Sequence, residues 1–259
     1  MTAEPSWTFE PCVPDKYKES TTRVLLLGAE PNGRRDKKTN KPIEEERPDR
    51  ADMGVWMMQA ASPPEGKKPF FGNKRFYLHM LLHAELAVRG KAEVFKRAED
   101  GCTKWQADAE KFLAHVRVAD LKATEGGATA KTKQVRDHVW ENPAHIRDLF
   151  DPLPHRIVVQ GGHAREIFLE VLLPWLLRTD DKPDREGWVD PNFDPSMIEW
   201  TALPHPAARL GYRKNEDGDI HPDLVKGVNE SWVRVEHKGG KIKEPAGKIT
   251  GTLIWRPTA

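Results

Sequence analysis

Hydrophobic positions along this chain fall into two alternating kinds of segment, short unbroken runs and longer periodic stretches. Val24-Leu25-Leu26-Leu27 and Ile157-Val158-Val159 are runs without polar alternation. Such runs predict strands buried on both faces, as in a parallel sheet. The first strand is read as Arg23 to Leu27, the second begins at Val116, the third is Ile157 to Gln160, and the fourth is Ile198 to Leu203. Between them, Arg75 to Lys96 places Leu78, Leu81, Leu82, Leu86 and Val94 near a 3.6-residue period, which predicts a long helix. Lys104 to Ala114 and Ala164 to Arg178 predict further helices, the latter dented at Pro174. Ala51 to Ala61 predicts a short helix stopped by Pro63-Pro64. The Gly-rich stretch Glu125 to Ala128 and the segment Asp148 to Arg156 read as loops, and Asp180 to Pro195 as an irregular insertion. This alternation predicts an α/β fold. Beyond Tyr212 the pattern changes: Trp232 to Val235, Gly239-Gly240 and Thr252 to Trp255 predict a terminal β hairpin. The chain therefore divides into an α/β domain over 1–212 and an extension over 213–259 packed on it.

Composition narrows this picture modestly. A chain of 259 residues with 38% hydrophobic and 31% charged residues can bury a sizeable core beneath a strongly polar surface. A formal net charge of +1 gives no global basic bias, so any nucleic-acid face has to be local. No run of about 18 apolar residues suggests a membrane span. The N-terminus lacks a charged-then-apolar leader, so a cytoplasmic location is expected. Cys12 and Cys102 show no metal-ligand spacing. His79 and His83, four apart, lack the Glu of a zincin motif and read as a partly buried helix face. Neither a metal nor an organic cofactor is expected.

Chemistry concentrates where strands end. The first strand stops in Gly28-Ala29-Glu30-Pro31-Asn32-Gly33, a turn carrying a carboxylate and a carboxamide; the fourth stops in Pro204-His205-Pro206-Ala207. In open parallel sheets the crevice beyond the carboxyl ends of the strands is where ligands bind. The two ends are therefore expected to bring Glu30, Asn32 and His205 to one site. A phosphate-binding loop is excluded, because Arg34-Arg35 stands where Lys-Ser/Thr is needed. No Gly-x-Ser-x-Gly nucleophile elbow is present.

These two turns resemble motifs of the uracil-DNA glycosylase superfamily, in which a Gly-x-(Asp/Asn/Ala)-Pro turn places water and a late His-Pro-(Ser/Ala) turn stabilises the departing base. Three weaker matches lie between them in the expected order: Pro69-Phe70-Phe71-Gly72-Asn73, Val116 to Lys122, and Ile157 to Ala164. The resemblance covers about residues 22 to 212. It implies a three-layer sandwich around a four-stranded parallel sheet of order 2-1-3-4, with the C-terminal β segment added. It also implies a monofunctional DNA glycosylase that flips a nucleotide and hydrolyses its N-glycosidic bond. Glu30, Asn32 and His205 would be catalytic, and Phe70, Asp120 and Ala29 would contact the base. Arg34 and Arg35 would meet phosphate, and Leu210 or Arg209 would wedge into the gap left by the flipped base. DNA is the implied partner, with no membrane and no obligate protein partner. The structural alternatives are plain: Glu30 paired with an Arg, Asn32 satisfying its own turn, the two Phe residues in the core, and the 34–50 charge run facing water.

Asp120 departs from the resemblance in an informative way. Relatives that read uracil place Asn here, whose amide both donates and accepts. A carboxylate only accepts. It repels O4 of uracil and suits the exocyclic amine of cytosine. The expected substrate is then a modified cytosine, such as those of phage DNA, and the role is defence. The alternatives are uracil base-excision repair, or a non-catalytic nucleic-acid-binding module on the same fold.

Overall fold

The computed structural model describes residues 14–29, 74–92, 111–122, 131–176, 198–206, 226 and 246–249. Five strands form one sheet: β1 (Val24–Gly28), β2 (Val116–Asp120), β3 (Arg156–Gln160), β4 (Ile198–Leu203) and β5 (Ala246–Ile249). Their order is β2-β1-β3-β4-β5. The first four run parallel, and β5 joins β4 antiparallel. This is the 2-1-3-4 parallel order expected from the sequence, extended by a C-terminal strand. The segments 232–235, 239–240 and 252–255 of the expected hairpin lie outside the described residues.

Residues of alternating parity face opposite layers. Leu25, Leu27, Ile157, Val159 and Trp200 join a core with Val135, Val139, Ile146, Leu149, Ile167, Phe168 and Trp175. Those partners come from α3 (Thr132–Glu141), α4 (Pro143–Leu149) and the helix after β3. That last helix is built in three pieces: α5 (Gly162–Ile167), a π-helical turn (Phe168–Leu172) and α6 (Leu173–Leu176). The expected dent at Pro174 therefore takes the form of a widened turn. Pro174 has no N–H for the carbonyl of Glu170, and its ring would crowd that carbonyl in a regular helix. Helices α3 and α4 occupy a stretch to which the sequence pattern assigned no element, and the end of α4, Asp148-Leu149, replaces part of the expected loop. They meet at Asn142, with Pro143 at the first position of α4, where a missing N–H costs nothing.

The other sheet face is covered by α2 (Lys74–Arg89), which packs on β1 and β3. Its buried residues include His79, Met80, Leu81, Leu82, His83, Ala84 and Leu86. The helix ends at Gly90, whose φ of 76° and bond from its N–H to Leu86 O (2.7 Å) close the last turn. The expected helix to Lys96 thus stops short; residues 93–96 lie outside the described set. Arg156, the first residue of β3, donates from Nη1 to the carbonyls of Ala87 and Val88, and from Nε to Glu199 (3.1 Å). A cation at a helix C-terminus is favourable, and here it anchors the end of α2 at the amino edge of the sheet. The helix consequently runs against the strands, and its earlier turns lie over the carboxyl edge.

At the amino edge, short α1 (Pro14–Glu19) is tied down by Ser20 Oγ to His115 Nδ1 (2.6 Å). Arg23 reaches Leu153 O (2.7 Å) and its amide donates to His155 Nδ1 (2.9 Å). No helix among the described residues is long and apolar enough to cross a membrane.

Candidate functional site

Register places one row of residues across the carboxyl edge. Gly28 of β1 pairs with Asp120 of β2, and Gln160 of β3 pairs with Leu203 of β4. Gly28 and Gln160 follow the β1–β3 pair Leu27–Val159, so the row reads Asp120, Gly28, Gln160, Leu203. Parity turns all four toward α2. The β1–β2 ladder continues past the strands: Leu121 N–H donates to Gly28 O (2.9 Å) and Lys122 N–H to Ala29 O (3.0 Å). Ala29 and Asp120 are thereby fixed next to each other.

Gly28 leaves room for the Asp120 side chain. A β-carbon at that position would collide with Asp120 Oδ1, so the carboxylate lies over the β1 backbone in the volume a side chain would take. Behind Asp120, its carbonyl accepts a hydrogen bond from His145 Nε2 of α4 (3.0 Å). A carbonyl only accepts, so His145 carries its proton on Nε2. His145 in turn packs edge-on against His138, with ring centroids 5.9 Å apart. Burial, with help from His145 and Lys122, holds the His138 pKa below its ordinary value.

His205 is seated by a second glycine. Gly161 has φ of 92°, a region L-residues avoid, and a β-carbon there would come within 3.0 Å of His205 Cβ. The Gly161 N–H donates to Leu203 O (2.9 Å), which ties the β3–α5 turn to the end of β4. Pro204 and Pro206 stiffen the loop on either side of His205. Desolvation first, and then the nearby His163, hold the pKa of the half-buried imidazole below its ordinary value. His163 Nδ1 shares a hydrogen bond with Thr132 Oγ1 (2.6 Å), linking this corner to α3.

Between the two ends lies a buried polar pair. Gln160 Nε2 donates to His83 Nδ1 (3.0 Å). His83 is fully buried, and its pKa is lowered to about 3 by desolvation and by the neighbouring His79 and His205. The His79 and His83 rings stack at 6.3 Å.

Of the residues singled out from sequence, Ala29, Asp120 and His205 are described, and all three lie at this carboxyl edge. Glu30, Asn32, Arg34, Arg35, Phe70, Arg209 and Leu210 lie outside the described residues, as do Cys12 and Cys102. Glu30 follows Ala29 directly in the chain. Gln160, His145 and His163 were not anticipated at the site, and His83, read from sequence with His79 as a partly buried helix face, is fully buried and bonded to Gln160. A usable signal existed for Gln160, a polar residue closing an apolar strand before Gly161-Gly162. Nothing local marked His83 as the partner of Gln160, 77 residues away. Among the described residues no cluster of three or more His, Cys, Asp or Glu could hold a metal ion.

The edge thus combines an acceptor-only carboxylate, a buried amide and a neutral imidazole at adjacent strand ends. Such a set can read hydrogen-bond donors on a ligand and steady a negative charge developing near His205. No protein-family model matches the chain, and no curated protein or solved structure matches it.

Proposed function

We propose that this protein is a DNA glycosylase that flips a modified cytosine out of the helix and hydrolyses its N-glycosidic bond, leaving an abasic site. The observation that carries the reading is the shared carboxyl edge of the 2-1-3-4 sheet. There the end of β1, continuing into Glu30, and His205 after β4 stand on either side of Gln160. In the proposed reaction the C1′–N1 bond breaks first, and its electron pair leaves with the base. The sugar passes through an oxocarbenium-like state that a carboxylate favours electrostatically. Glu30 and Asn32 place the water that adds at C1′, and its proton is released to Glu30 or solvent. Neutral His205 donates a hydrogen bond to O2 of the departing anionic base. Phe70 stacks on the base face, Asp120 accepts from its C4 amino group beside the Ala29 backbone, and Arg209 or Leu210 fills the vacated gap. Arg34 and Arg35 meet the flanking phosphates. An enzyme that excises modified cytosine and spares ordinary cytosine fits defence against phage DNA.

The test is mass spectrometry of free bases released from matched DNAs carrying modified cytosine, uracil or ordinary cytosine, with alkali-labile sites as a second readout. Release of a modified cytosine ahead of uracil is expected. His205→Ala should lose on the order of 10²-fold in rate. Asp120→Asn should move the preference toward uracil by roughly 5- to 150-fold. Uracil released first by the wild type would favour repair, and binding without base release would favour a non-catalytic module.

A further inference from the structure

We infer that Gln160 is a specificity residue of this crevice: held by His83, it offers Oε1 as a second acceptor beside Asp120. The pair then selects a pyrimidine whose C5 substituent carries a hydroxyl next to the C4 amino group. The inference rests on the glycosylase reading and adds what separates one modified cytosine from another.

Gln160 closes a strand whose other central residues are apolar, and only 4% of it is exposed. A buried amide is costly unless bonded, so its orientation is not arbitrary. Its nitrogen is committed to His83 Nδ1, which requires His83 to be the Nε2–H tautomer. The amide nitrogen therefore faces α2, and the oxygen is the group it presents to a ligand.

The row across the sheet sets the Gln160 position near the Asp120 carboxylate. The two residues sit on strands separated by β1, but the intervening position is Gly28. The Asp120 carboxylate occupies the place of the missing Gly28 side chain. It thus stands one strand spacing from the Gln160 position, about 4.8 Å, rather than two. Two adjacent acceptors are mutually satisfied by a ligand that brings two adjacent donors. A C4 amino group and a C5 hydroxymethyl group on one ring supply that pair. The methyl group of 5-methylcytosine would leave Oε1 unmet, and O4 of uracil would confront an acceptor. A site built to bond a hydroxyl rejects the analogue that lacks it, because its own buried polar atom is left unsatisfied.

The test compares release of 5-hydroxymethylcytosine and 5-methylcytosine from otherwise identical DNA by the full chain. Wild type should prefer the hydroxymethyl base by about tenfold or more in kcat/KM. Gln160→Met, close in shape but without the acceptor, should bring the ratio near one, with hydroxymethylcytosine release losing more than 5-methylcytosine release. Gln160→Glu restores an acceptor and should restore the preference. ¹⁵N NMR of wild-type His83 should show a protonated Nε2 and an Nδ1 whose signal moves in Gln160→Met. An unchanged ratio in Gln160→Met, or a protonated His83 Nδ1 in the wild type, overturns the inference and leaves the glycosylase reading standing. Release of no base from any DNA by the wild type overturns both.

Discussion

Burial keeps the His83 imidazole neutral to about pH 3, and this has a cost that appears on acidification. In the unfolded chain the same ring takes up a proton near pH 6.5. Below that pH the unfolded state binds more protons than the folded state, so stability falls with falling pH, by up to about 1.4 kcal/mol per pH unit. The loss begins near 6.5 and continues until the folded ring itself titrates. His205 adds to it in the same direction, since its folded pKa is also lowered. His83→Gln keeps a neutral partner for Gln160 and removes the larger contribution. Urea unfolding at pH 7, 6, 5 and 4 should show wild type losing stability faster than His83→Gln. Parallel curves would mean that His83 titrates freely. At this scale the sequence was least legible. Asp120 and His205 stand at strand ends and are visible as such, whereas the His83–Gln160 bond spans two elements and has no local signature.

At the scale of elements, the strands were legible for a physical reason. A strand buried on both faces must be apolar at every position, and Val24 to Leu27 is buried throughout. The order 2-1-3-4 came from motif resemblance, since periodicity carries no information on strand neighbours. Helix α3 was not legible because it buries only Val135 and Val139, two positions in a ten-residue charged segment. It is tied to the helix after β3: Arg136 pairs with Glu166 of α5 (3.1 Å) and Glu170 of the π-helical turn (2.7 Å). The turn from β3 into α5 is the element on which the candidate site depends most. Gly161→Ala imposes a left-handed backbone on a residue with a β-carbon and pushes it against His205. The strain should cost about 1–2 kcal/mol of stability. It should also lower the rate of base release more than DNA affinity, because His205 shifts while the binding surface does not. Thermal unfolding, binding and single-turnover rates together check this; a rate unchanged beside a lowered Tm would separate His205 from the chemistry.

For the whole molecule, one sheet stands between two helical layers, and β5 belongs to that sheet through pairing with β4 from Ile198–Ile249 to Thr201–Ala246. A C-terminal hairpin was expected from 232–235 and 252–255, outside the described residues, whereas the strand at Ala246–Ile249 was not foreseen, because four residues reading Ala-Gly-Lys-Ile carry almost no pattern of their own. Truncation after residue 245 should leave the four parallel strands able to form, since their pairing with one another does not involve β5. It would also leave those backbone groups of Ile198 to Thr201 that face β5 unpaired, along a strand with Trp200 and Ile198 on its buried face. A row of unpaired donors and acceptors beside apolar side chains is a template for another chain. The truncated protein is expected to retain its circular-dichroism spectrum at low concentration and to scatter light increasingly as concentration rises, whereas the full chain does not. Seen this way, the short antiparallel strand is a sealing strip. It contributes little to the crevice and much to keeping each copy of the protein from becoming the next copy's missing edge.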